Sequence, residues 1–178
     1  MRALAVLCCI AAVPLWAQQP LPPAPDSARA DSTHAESARA APTPEQQKFL
    51  GGLRTATRGL AQLKDGVSRV TRTQATSDSA NQRRAAHFLA FVCGSARAFV
   101  RRGRPAMSPS AYSDSVRLAA RRLVTQLDSV TAYTATCEAN AVAAPAPTAT
   151  DLAKRLKTYD AALRDFRVAI GLPVKESQ

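Results

Sequence analysis

Residues 108–137 read SPSAYSDSVRLAARRLVTQLDSVTAYTATC. Within them Tyr112, Val116, Ala119, Leu123, Leu127, Val130, Thr134 and Cys137 recur at steps of three and four. A helix turns every 3.6 residues or so, and this spacing lays them along one face. Arg117, Arg121, Arg122, Asp114 and Asp128 fall mostly off the stripe. A helix with one apolar stripe cannot bury it alone, so partners with the same property are required.

Three other stretches have it. Thr43, Pro44 and Gln46 place a capping hydroxyl, a proline at the first helical position and a capping-box side chain at the third. Phe49, Leu53, Ala56, Leu60, Leu63, Val67 and Val70 then alternate at coiled-coil spacing and predict a helix over 44–74. Gly51, Gly52, Gly59 and Gly66 weaken it by about 1 kcal/mol each against Ala, although Gly beside a stripe also permits close helix approach. Ser77 or Asp78 can cap a second helix over 78–102, with the stripe Ala85, Phe88, Leu89, Val92, Ala96, Phe99 and Val100. Gly103 and Pro105 end it. The opening stretch makes a third helix over 109–138. Asn140 to Pro147, rich in Ala and Pro, reads as a loop. A fourth helix over 150–170, capped by Thr148 or Thr150, carries Leu152, Leu156, Tyr159, Leu163, Phe166 and Ile170, and Gly171 and Pro173 stop it. Four amphipathic helices with short connections predict an all-α protein, an up-down-up-down four-helix bundle over 44–172.

The N-terminal part reads differently. Arg2, the apolar run Ala3 to Val13, and Leu15-Trp16-Ala17 predict a secretory signal peptide over 1–17. The run is short for a membrane span and Pro14 interrupts it. Neither Cys8 nor Cys9 follows a small residue as a lipoprotein cysteine would. Residues 18–43 are rich in Pro, Ala and Ser, and hold the five-residue repeat Asp26-Ser-Ala-Arg-Ala, Asp31-Ser-Thr-His-Ala, Glu36-Ser-Ala-Arg-Ala. That period matches neither helix nor strand, and bulky apolar residues are nearly absent, which predicts a disordered linker. The expectation is a periplasmic or secreted protein.

The chain carries a formal net charge of +11. Most of the excess lies between Glu45 and Arg104, where 12 of the 24 basic residues face only Glu45, Asp65 and Asp78. Arg54 with Arg58, and Arg69 with Arg72, stand at helical spacing and predict a basic ridge. Arg83, Arg84, Arg101 and Arg102 extend the basic half onto the second helix. Such a ridge suits the phosphate-bearing headgroups of lipid or lipopolysaccharide. An Arg-rich composition with an ordinary solvated face would look the same.

With the leader removed, Cys93 and Cys137 remain as a candidate disulfide. Export favours the bond. A simple hairpin turning near residue 105 opposes it, because it puts the two cysteines at heights differing by roughly 25 Å at about 1.5 Å per residue, whereas a bond needs Cα atoms within about 7 Å. Broken helices, another topology or two unpaired thiols are the alternatives.

Chemistry beyond binding has little support. His34 lies in the linker repeat and His87 stands alone on the second helix, which predicts no metal site. There is no Cys-x-x-Cys-His for haem, no Gly-x-Ser-x-Gly and no phosphate-binding Gly loop, so no cofactor and no enzymatic activity are expected. Nucleic acid is disfavoured by the export signal and by the lack of interleaved exposed aromatics on the basic helices. Thr43-Pro44-Glu45-Gln46-Gln47 resembles the first signature of the Spy-type periplasmic chaperones, which are small, exported, helical and basic and bind unfolded clients. The second copy of that signature has no counterpart here; Leu123-Val124-Thr125-Gln126 departs from it. The expectation is an exported, non-enzymatic helical binding protein whose basic half contacts an anionic envelope component, with peripheral membrane contact. The alternative is a periplasmic holdase or adaptor for protein clients. The oligomeric state is not legible.

Overall fold

Helix formation here follows the stripes and caps closely, and departs from them where loops decide. The computed structural model describes residues 41–173. The segment read as a signal peptide and nearly all of the linker over 18–43 lie outside the described residues. Four helices are present: α1 (Pro44–Gln74), α2 (Ser79–Gly103), α3 (Asp114–Asn140) and α4 (Pro145–Ala169), with no strand among the described residues. No helix among those residues is long and apolar enough to cross a membrane.

The start of α1 is the expected capping box. The Gln46 amide donates to the Thr43 hydroxyl at 3.3 Å, and the Thr43 amide donates to the Gln46 side chain at 3.0 Å. Two donors left over by the helix start are thereby satisfied. Asp78 caps α2, accepting from the Ala80 and Asn81 amides at 2.9 and 3.0 Å. Gly171 adopts φ 69° just past α4. Its amide reaches the Val168 carbonyl and that of Leu172 reaches Arg167, both at 2.8 Å, which is the Schellman pattern.

Two boundaries differ from the sequence reading. The third helix begins at Asp114, not 109, and Tyr112 lies ahead of it in a connection containing two short 3-10 turns, Arg104–Ala106 and Pro109–Ala111. Tyr112 is nonetheless buried: its ring meets Phe49 and Phe166 with centroids 5.2 and 5.4 Å away. The fourth helix begins at Pro145, not 150, and so absorbs the last three residues of the expected loop. Pro145 and Pro147 fall in the first turn, where the missing amides have no intrahelical acceptor to lose. The first such bond runs from the Thr148 amide to the Ala144 carbonyl, 3.2 Å. Thr148 is therefore a buried first-turn residue and not a cap.

Packing runs α1 on α2, α2 on α3, α3 on α4, and α4 back on α1. The shared core is built from the expected stripes, including Phe49, Leu60, Leu63, Leu89, Leu123, Leu127, Leu152, Tyr159 and Phe166. The α1–α2 contact is the closest. A Cβ built on Gly52 would lie 2.5 Å from the Gly103 carbonyl oxygen, one on Gly59 2.7 Å from the Phe99 Cβ, and one on Gly66 2.6 Å from a Val92 methyl. The three glycines recur every seven residues, so one line of α1 lies directly against the α2 backbone.

Register between α2 and α3 departs from the simple hairpin and brings the candidate cysteine pair together. Cys93 and Cys137 are joined as a disulfide, with Cα atoms 6.1 Å apart. The 3-10 turns carry the chain on past the end of α2, so α3 starts beyond it. Arg104, one residue after α2, accordingly pairs with Asp128, half-way along α3. That offset removes the height difference a tight hairpin would impose.

Candidate basic face and groove

The expected basic residues do not act as one set. Arg69 is bound to Asp65 on its own helix at 3.0 Å, and Lys64 to Asp160 on α4 at 2.6 Å. Arg97 pairs with Glu138, next to the disulfide. Arg104 holds Asp128 through two bonds, Nε–Oδ1 at 2.8 Å and Nη2–Oδ2 at 3.0 Å. Donating these hydrogen bonds to Asp128 keeps the Arg104 guanidinium above its ordinary pKa. Eight other basic residues of that half (Lys48, Arg54, Arg58, Arg72, Arg83, Arg84, Arg101 and Arg102) are exposed and have no carboxylate partner among the described residues.

The aromatic expectation for these helices fails. Phe88 and Phe99, read as stripe residues, are only half-buried. Arg69 covers the Phe88 ring at 4.3 Å, and Arg102 approaches the Phe99 ring at 5.8 Å. Phe91, off the stripe, is 71% exposed. The reason is that the glycine seam draws the α2 backbone onto α1, which leaves these larger rings at the margin of the contact. A flat apolar ring among guanidinium groups is a surface suited to the boundary between water and lipid headgroups.

Arg54 and Arg58 project to a different place. They stand one turn apart over a groove of about 430 Å³ between α1 and α4, opposite Arg167. Its apolar lining includes Leu50, Leu53, Leu163, Phe166 and Leu172. The Thr57 hydroxyl at the groove is already engaged, donating to the Leu53 carbonyl at 2.8 Å and standing 3.3 Å from the Tyr159 hydroxyl. This groove had no signal in the sequence, because it exists only where the C-terminal end of α4 crosses the first half of α1.

Other chemistry is thinly represented. Burial raises the pKa values of Tyr112, Tyr133 and Tyr159, with Asp151 adding to the effect at Tyr133 and the Thr57 hydrogen bond opposing it at Tyr159. None of these phenols ionises near neutral pH. His87 is exposed on α2. No three His, Cys, Asp or Glu side chains converge among the described residues. Compared with known protein families, with curated proteins and with solved structures, the chain matches none.

Proposed function

We propose that this chain is an exported, non-enzymatic up-down-up-down bundle that docks by the outer face of α1 and α2 onto an anionic component of the cell envelope. One observation carries the reading: six exposed cations of that half outside the α1–α4 groove, Lys48, Arg72, Arg83, Arg84, Arg101 and Arg102, have no carboxylate partner among the described residues. Asp65, Asp128, Glu138, Asp151 and Asp160 bind other cations instead. Unneutralised guanidinium groups at this density attract phosphate headgroups at about 1 kcal/mol each. Phe91 adds an exposed apolar ring for the headgroup boundary.

Co-sedimentation with vesicles containing anionic phospholipid, across a salt series, tests this. Binding should be strong at low salt and vanish by a few hundred millimolar, because the Debye length falls from about 10 Å at 0.1 M to about 3 Å at 1 M. Replacing Arg72, Arg84, Arg101 and Arg102 by Gln should weaken binding by about a hundredfold or more. Absence of binding at low salt overturns the proposal and favours unfolded protein clients, for which exposed Phe91, Leu118 and Val168 would be the contact residues.

A further inference from the structure

The groove between α1 and α4 asks for a ligand that the outer face does not explain. We infer that it binds a single-chain fatty acid, with the acyl chain on the floor and the carboxylate held by Arg54, Arg58 and Arg167. This site goes beyond the surface reading and does not depend on it.

Charge complementarity is the first argument. Three guanidinium groups from two helices line one groove, and no Asp or Glu lines it with them. Arg54, Arg58 and Arg167 also lack a carboxylate partner elsewhere among the described residues. Like charges gathered around an apolar trough repel each other, and an anion relieves that repulsion. Guanidinium is the side chain best matched to a carboxylate, which it can hold through two parallel bonds.

The floor is the second argument. Leu53, Leu163 and Leu172 offer aliphatic surface. The Thr57 hydroxyl has its proton committed to the Leu53 carbonyl. A peptide laid in the groove would bury amides with little to bond to, which is costly. An acyl chain has no such groups. The volume, about 430 Å³, lies toward the small end of the range of about 300–1,000 Å³ for small-molecule sites. That suits one chain and not a folded partner.

The test is titration calorimetry of the purified protein with dodecanoate, below its micelle concentration, against dodecyltrimethylammonium as the head-group control. Ala61, exposed at the groove, provides a second handle: Ala61→Trp fills the trough without touching its charges. Dodecanoate should bind saturably with one site, at least about tenfold more tightly than the cationic amphiphile. Ala61→Trp and the triple variant Arg54→Gln, Arg58→Gln, Arg167→Gln should each lose about tenfold or more, with far-UV dichroism unchanged. Vesicle co-sedimentation of Ala61→Trp should match the parent. No saturable binding, equal affinity for the two head groups, or dodecanoate binding untouched by Ala61→Trp overturns the inference. Loss of dodecanoate binding with vesicle binding intact sinks the groove alone; vesicle failure with dodecanoate bound sinks the surface reading alone.

Discussion

A Cβ added at Gly52 would stand 2.5 Å from the Gly103 carbonyl oxygen, a backbone atom that cannot swing aside. One residue earlier, at Gly51, an added Cβ meets nothing within 4 Å. Both positions would gain helix propensity from Ala, about 1 kcal/mol. At Gly51 that gain stands alone, so Gly51→Ala should stabilise by up to about 1 kcal/mol. At Gly52 it is opposed by an overpacking cost of about 1–3 kcal/mol, and the rigidity of the neighbour puts the cost at the upper end. Gly52→Ala should therefore destabilise by roughly 1–2 kcal/mol. Urea unfolding of the two variants checks the opposite signs. The sequence showed four glycines weakening one helix; it could not show which of them face a neighbour.

At the scale of the element, α1 and α4 teach different lessons about what local sequence decides. The Thr43 cap, Pro44 and Gln46 act within one turn of chain, so their reading needed no tertiary information. Thr43→Ala should cost about 1 kcal/mol, read as a lower urea midpoint at unchanged slope. These residues also account physically for three letters of the five-residue resemblance to the Spy-type signature. For α4, the Pro-rich stretch reads as a loop because proline usually interrupts a helix. Pro145 and Pro147 instead sit where no intrahelical amide bond is lost. Burial of Thr148 and Ala149 against the core then makes the extra turn worthwhile.

For the whole molecule, the bond between Cys93 and Cys137 ties α2 to α3 across 44 residues. Closing a loop of that length in the unfolded chain is worth about 4 kcal/mol on chain-entropy grounds, with measured values more often about 2–4. The double variant Cys93→Ala, Cys137→Ala should melt roughly 10 °C lower than the oxidised parent. Full retention of Tm would mean that helix packing alone sets the register of α2 and α3. Such a bond persists in an oxidising compartment, in keeping with the export proposed above. The ion pair Arg97–Glu138 bridges the same two helices, Arg104–Asp128 ties the residue just past the end of α2 to α3, and Lys64–Asp160 joins α1 to α4. Being partly exposed, they contribute less to stability than to removing those cations from the free surface.

By itself the sequence determined four helices, their apolar stripes, the caps that start α1 and α2, the glycine that ends α4, and the half of the chain where positive charge collects. Each of these follows from periodicity or from contacts within a turn or two. Tertiary structure alone decided which arginines stay unpartnered, where α3 starts relative to α2, and that Arg54, Arg58 and Arg167 share one groove. Arg69 has Asp65 four residues back on its own helix, a pairing the spacing itself records; only the fold lays Arg69 over the ring of Phe88 and leaves Arg72 without a carboxylate. Axial register between helices depends on how a ten-residue connection folds and on which side chains interlock. Those are non-local contacts, and no spacing along the chain records them.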